Sequence, residues 1–329
     1  MRIIVFDVAA ETGGALTILK QYYEMAVKDI LNEWIFVVST PDLKDTTNVK
    51  IIKYPWVKNS WFHRLYFEKF IAKKIVLEYK ADEVLSLQNI IVFKLDVKQT
   101  LYLHQSLPFT EKRFRITENF KFWIYQNIIS RIIYKSVKEA NKVIVQTKWM
   151  KDACLKKVNI DPSKFEIKQP ELHIKVKNYY KQTNENTKLF FYPASGLKYK
   201  NHEIIVKATM ELIRQGIISF KVIFTLSGNE NANVKKLYNM VKEYNLPIEF
   251  IGQLCLEEVY DYYSKAILIF SSYIETFGLP LLEAKMHNAP ILASDCAFSH
   301  EILDDYDNVH FFDPFNHNIL AEKMKEVIL

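Results

Sequence analysis

A chain of 329 residues, 49% hydrophobic and 25% charged, can bury a full core and has the length of about two domains, so it reads as a soluble globular protein. Three cysteines, Cys154, Cys255 and Cys296, with no close pair and no CxxC, argue against a disulfide framework or a zinc site and for a reducing cytoplasm. The net charge of +6 is uneven: residues 1–150 hold 23 Lys/Arg against 15 Asp/Glu and residues 151–329 hold 21 against 23, which predicts a polyanionic or membrane-surface neighbour on the basic half.

The opening MRIIVFDV has one basic residue and an apolar run interrupted by Asp7, too short and too acidic for a signal peptide or a membrane span. Short apolar runs then alternate with helical patterns: RIIVFDV (2–8), WIFVVST (34–40), VKIIKYP (49–55), EVLSLQ (83–88), TLYLHQS (100–106) and KVIVQT (142–147). Continuously apolar runs of this length read as buried parallel strands. A polar break rich in Lys, Asn and Gln follows. The alternation then restarts with KLFFYPA (188–194), FKVIFTLSG (220–228), IEFIGQL (248–254), AILIFSS (266–272), PILASD (290–295) and VHFFDP (309–314). The expectation is two α/β domains, 1–175 and 188–329, joined by a linker at 176–187, each a doubly wound sheet with ligands at the carboxyl ends of its strands.

Only seven glycines occur, so each marks a place where other residues fit poorly. Gly13 and Gly14, Gly196, Gly228 and Gly278 all fall between a predicted strand and a predicted helix. There a glycine permits close backbone approach, and free helix N–H groups can meet a phosphate; ordinary turn chemistry is the plainer alternative.

In Ser271-Ser272-Tyr273-Ile274-Glu275-Thr276-Phe277-Gly278-Leu279-Pro280-Leu281-Leu282-Glu283-Ala284, a strand gives way to a helix whose first turn holds Pro280, which lacks an N–H. Glu275 precedes the exposed amides of the loop and Glu283 follows them by about one turn. Carboxylates accept hydrogen bonds from hydroxyls, and helix-start amides hold phosphate, so the pattern suits a nucleotide sugar. Helix-start charge with a solvated Glu is the alternative.

These residues, with Pro290-Ile291-Leu292-Ala293-Ser294-Asp295 and Glu301 after them, resemble the retaining GT-B glycosyltransferases of family 4. The resemblance covers nearly the whole chain in layout and is specific in the second half. It implies two Rossmann-like domains, an interdomain cleft, a nucleotide-diphosphate sugar donor (a UDP-sugar), and neither metal nor cofactor. Carried over by position, it implies that Glu275 meets the donor sugar's hydroxyls, that the amides of Phe277, Gly278 and Leu279 hold sugar and diphosphate, and that Glu283 meets the ribose. Gly228 and Leu254 then lie beside the base.

The segment from Tyr192 to His202 resembles the family's diphosphate loop, which pairs an Arg with a Lys. Lys200 matches the Lys; Ser195 stands near the expected Arg, with Lys198 as candidate substitute. The glycine loop Glu11-Thr12-Gly13-Gly14-Ala15 matches the diphosphate and acceptor side, and His104 matches the cleft histidine that contacts the donor sugar; a satisfied structural histidine at a strand end is the plainer alternative. Family members commonly run on to a helix crossing back onto the first domain, whereas this sequence stops at Leu329; either that helix is absent or the chain is shortened, and looser closure is one expectation. No catalytic base is assigned, because the resemblance points to the leaving phosphate as proton acceptor.

Residues 111–148 hold nine Lys/Arg against three Glu, interleaved with Phe114, Phe120, Phe122, Trp123, Tyr125 and Tyr134. One reading of 109–149 is docking to an anionic bilayer at the inner face of the cell membrane, as a lipid-linked acceptor would require; the other is a buried helix with a solvated basic edge. No recognition motif for nucleic acid accompanies the charge. The expected activity is hexosyl transfer from a nucleotide sugar to a glycan or lipid-linked acceptor in bacterial surface polysaccharide synthesis. The alternatives are a non-catalytic nucleotide-sugar-binding partner subunit and a GT-B nucleotide-sugar epimerase.

Overall fold

The computed structural model describes residues 1–11, 13–170 and 174–329. The chain divides into two compact units, Met1–Glu171 and Leu172–Leu329, and residues 176–187 fall in the second.

The first unit is built on seven strands: β1 (Arg2–Asp7), β2 (Glu33–Val38), β3 (Val49–Lys53), β4 (Glu83–Ser86), β5 (Lys98–Tyr102), β6 (Lys142–Val145) and β7 (Phe165–Ile167). All their pairings are parallel, in the order β3-β2-β1-β4-β5-β6-β7. Parallel strands need crossover connections, and the resulting helices cover both faces, so β1 and β2 are buried along almost their whole length. Strand β7, three residues at the sheet edge, is absent from the sequence-based expectation; it is too short to leave a hydropathy signal.

The second unit has six parallel strands: β8 (Leu189–Tyr192), β9 (Lys221–Phe224), β10 (Ile248–Phe250), β11 (Ile267–Phe270), β12 (Ile291–Ser294) and β13 (Val309–Phe312), in the order β10-β9-β8-β11-β12-β13. Every residue of β11 and β12 is buried. Both sheets have Rossmann-like order, and each reverses its winding once, between β1 and β4 in the first and between β8 and β11 in the second. Ligands bind at such switch points, where neighbouring loops part at the carboxyl ends of the strands.

Two helical regions of the first unit contain π turns, Phe67–Ile71 and Tyr125–Ile129. In the basic aromatic stretch, Phe109 and Phe114 are core residues, while Ile116, Phe120 and Ile128 are exposed. No helix among the described residues is long and apolar enough to cross a membrane.

Candidate functional site

At the switch point of the second sheet, the chain leaves β8 and makes one 3-10 turn at Lys198–Lys200. It then enters the helix His202–Arg214 through Asn201, which is left-handed at φ 60°. Asn tolerates that conformation, and its side chain donates to the Pro314 carbonyl at 2.7 Å. The end of β11 grips the turn. Ser271 Oγ and Tyr192 OH both donate to the Lys200 carbonyl, at 2.9 and 2.6 Å. Ser272 Oγ and the Tyr273 N–H donate to the Tyr199 carbonyl, at 3.3 and 3.2 Å.

That grip presents Lys200 Nζ to Glu275 Oε1 as an ion pair, with 18% and 16% of the two side chains exposed. At this burial, water screens the pair less than it would a surface pair. Ser195, near the position expected for an Arg, is exposed on the same loop, and Lys198 is half-buried.

Three residues beyond Glu275, Gly278 adopts φ 97° and starts the helix Leu279–Met286, with Pro280 in its first turn and no side-chain cap. Pro280 has no N–H and the Leu281 N–H turns back to the Gly278 carbonyl at 2.9 Å, while the backbone ahead of them opens the helix, where an anion can be met. The conformation requires glycine, and an added Cβ would also press on Leu281 Cδ1 at 3.3 Å. The Phe277 side chain is buried in the core, so only its backbone is left to meet a ligand.

Glu283 lies one turn into this helix and is 9% exposed. Burial pushes its carboxyl up to about 7, opposed by the hydrogen bond that Tyr263 OH donates to Oε2 at 3.0 Å. Tyr263, fully buried beside Phe191, Tyr260 and His287, holds the carboxylate in place. Sequence reasoning missed this partner, because the helix Leu256–Tyr263 carries no motif.

Gly228, after β9, has φ 92°, and a Cβ there would meet the Tyr238 ring at 2.6 Å, so close packing as well as conformation demands glycine. The N–H groups of Ser227 and Gly228 both donate to the Glu230 carboxylate. Gly252 N–H donates to the Leu226 carbonyl at 2.9 Å, tying the loop that carries half-buried Leu254 to the Gly228 loop.

In the first unit, Gly13 (φ 62°) and Gly14 open the helix Gly13–Lys28; both are exposed, and a Cβ added at either would meet no atom within 4 Å. Thr12 of that loop lies outside the described residues. His104 follows β5, its ring stacked on Tyr102 at 4.4 Å and its backbone N–H donating to Asn89 Oδ1 at 2.7 Å. Burial lowers the His104 imidazole to about 4, and its Nε2 is buried with no partner among the described residues. A neutral ring nitrogen is thus open to a ligand hydroxyl.

Asp7, which ends β1, shows in the sequence only as a break in the apolar run. It is fully buried, accepts the Ala10 N–H at 3.0 Å through Oδ1, and leaves Oδ2 without a partner among the described residues. Burial raises it to about 7. Lys200, Glu275, Phe277 to Leu279 and Glu283 thus stand on the β8/β11 switch point or the helix after it, with Ser195 on the loop leaving β8 and Gly228 and Leu254 on the loops after β9 and β10. Gly13, Gly14 and His104 sit at strand ends of the first unit.

Two Rossmann-like units with these loops define the GT-B fold class. Among solved structures, the chain is similar to the sucrose-phosphate synthase of Thermosynechococcus elongatus (TM-score 0.74, 16% identity, covering 99% of this chain and 89% of that one). It is also similar to Anabaena HepE in complex with UDP and glucose (TM-score 0.69, 14% identity, covering 100% and 90%). Residues 177–329, nearly the whole second unit, match the family described as "Glycosyl transferases group 1". The O-antigen chain mannosyltransferase RfbU of Salmonella typhimurium is 26% identical over 182 residues, 54% of this chain; the match spans about half (49%) of that curated relative's length.

Proposed function

We propose that the chain is a retaining glycosyltransferase that moves a hexose from a nucleotide-diphosphate sugar to a glycan acceptor, lipid-linked, in surface polysaccharide synthesis. The observation that carries this reading is the Lys200–Glu275 pair beside the uncapped start of the helix Leu279–Met286. A cation and bare helix amides suit a diphosphate, and a carboxylate between them suits sugar hydroxyls. The group 1 match of the second unit supports a nucleotide-sugar donor, and the UDP complex of HepE supports UDP as its base-bearing part. The resemblance to O-antigen mannosyltransferase supports a glycan acceptor.

In this reading, Lys200 is shared between Glu275 and the leaving diphosphate, and its charge, with the amides of Gly278 and Leu279, offsets the negative charge that develops as the glycosidic bond breaks. Glu275 orients the sugar, Glu283 receives a ribose hydroxyl, and His104 offers its neutral nitrogen to the transferred sugar. The acceptor hydroxyl's proton goes to the departing phosphate, so no side chain is needed as base. A thermal-shift panel of UDP-, GDP-, ADP- and dTDP-sugars tests the donor site: one class should raise the melting temperature by mass action, and no shift with any of them would remove the reading.

A further inference from the structure

The largest exposed apolar residues of the first unit do not centre on the 109–149 stretch. They line the helical run after β3: Trp61 (53% exposed), Phe62 (83%), Leu65, Tyr66, Phe70 (54%) and Leu77 (60%). Single exposed apolar side chains are ordinary, but these six share one helical run, and Phe70 and Leu77 line the same hollow with Lys69 and Lys74. Tyr66 packs on Phe70 at 5.3 Å between ring centroids and on Trp56 at 6.3 Å, and Lys69 Nζ lies 5.2 Å from the centre of the Phe70 ring. Tyr66 and Phe70, four residues apart, share the outer face of the run while Phe67 is buried, and a π turn spans Phe67–Ile71.

From Lys58 to Lys80 the chain carries six Lys/Arg and two Glu. Lys69 and Lys74 are exposed among the aromatics. A second copy docking face to face would oppose two basic surfaces, so self-association is disfavoured. Aromatic rings among lysines suit a membrane interface, where rings enter the headgroup layer and ammonium groups meet anionic lipid. A second helical region of the same unit also exposes Phe120 and Ile128.

The face also has a defined place. All seven strands of this sheet run parallel, so the segment leaving β3 emerges at the same edge as the glycine loop and His104, and the helical run then crosses back to the opposite edge, where the Tyr79 carbonyl accepts from Arg2. Lys58 joins the start of that segment to the glycine loop directly: its Nζ donates to the Ala9 carbonyl at 2.7 Å and pairs with Glu11 at 3.3 Å.

We infer that the face formed by Trp61, Phe62, Tyr66, Lys69, Phe70 and Leu77 docks the protein on an anionic lipid bilayer, with the Trp61 end of that face nearest the glycine-loop edge of the first sheet. The lipid-linked acceptor of the proposed function gives this docking its purpose, and in that respect the inference rests on that reading.

The test is co-sedimentation of the full chain with vesicles of phosphatidylcholine alone or mixed with phosphatidylglycerol. Wild type should sediment with the mixed vesicles and not with the neutral ones. Phe62→Ser with Phe70→Ser, and separately Lys69→Glu with Lys74→Glu, should each weaken binding about tenfold or more, with melting temperature unchanged because these side chains are exposed. Failure of wild type to bind the anionic vesicles, or equal binding by the serine pair, overturns the inference. So does a dimer in sedimentation velocity that the serine pair dissolves. Nucleotide-sugar thermal shifts on the same preparations separate the two readings: vesicle binding without a donor shift keeps the docking face and removes the transferase, and the reverse result does the opposite.

Discussion

Lys200 and Glu275 lie 75 positions apart in the chain, yet their charged groups meet because Ser271 and Tyr192 both bind the Lys200 carbonyl. The contact is made by two loops that leave adjacent strands at the switch point, and hydroxyls from those strands fix its geometry. Replacing Lys200 with Met leaves a half-buried carboxylate unpaired. It should cost about 1–3 kcal/mol of stability and weaken nucleotide-sugar affinity at least about tenfold. Denaturant unfolding and calorimetric titration with the shifting donor read the two effects separately. Ser271→Ala should weaken donor affinity less, because it loosens the turn and removes no charge.

Glu283 carries a pH signature. Its folded value, about 7, lies above the ordinary carboxylate range, so the neutral acid predominates in the ligand-free protein below about pH 7. Folding therefore favours the protonated form, and this group's contribution to stability falls as pH rises from the ordinary carboxylate range through about 7. Donor hydroxyls favour the carboxylate, so donor binding should release a proton and tighten as pH rises through about 7. Affinity measured across that interval should slope in wild type and be flat in Glu283→Gln. A slope that persists in Glu283→Gln assigns the titration elsewhere.

Tyr263→Phe removes the hydroxyl that donates to the Glu283 carboxyl and leaves the ring in place. The carboxyl should rise further, moving the pH dependence of donor affinity upward, with a stability loss of about 1–3 kcal/mol above neutral pH. An unchanged pH profile would show that Tyr263 only fills space.

The glycines separate two reasons for the same residue. Gly228→Ala combines φ 92° with a methyl 2.6 Å from the Tyr238 ring and should cost about 1–3 kcal/mol, read as a lowered denaturant midpoint. At Gly14 no atom lies within 4 Å of the added methyl, and no left-handed conformation is required. Gly14→Ala should leave stability within about 0.5 kcal/mol of wild type while lowering transfer, if the loop approaches a ligand.

Much of the fold is legible in the sequence because apolar runs such as RIIVFDV and AILIFSS are buried on both faces and carry a strong hydropathy signal. Strand β7 is not, being three residues long. At the site, Glu275 and Gly278 stand out through spacing and through the scarcity of glycine, and Lys200 through the resemblance to a diphosphate loop. Tyr263 and the serine pair at 271 and 272 do not, because hydroxyl contacts between distant elements leave no local pattern. Asp7 is visible as a charge in an apolar strand, but its burial depends on the surrounding sheet. The aromatic density of 109–149 marks a stretch whose Phe109 and Phe114 fill the core. The more exposed aromatic surface lies on the run from Trp61 to Leu77, where exposure depends on which helix face the sheet covers and not on aromatic density.

The most direct test follows a labelled hexose from each nucleotide sugar into the glycan or glycolipid fraction, with wild type, Lys200→Ala and Glu275→Ala in parallel. Wild type should transfer from one donor class, with release of the nucleoside diphosphate, and both variants should lose at least about a hundredfold. Transfer that survives both substitutions, or a wild-type protein that transfers from no donor, would contradict the proposed function.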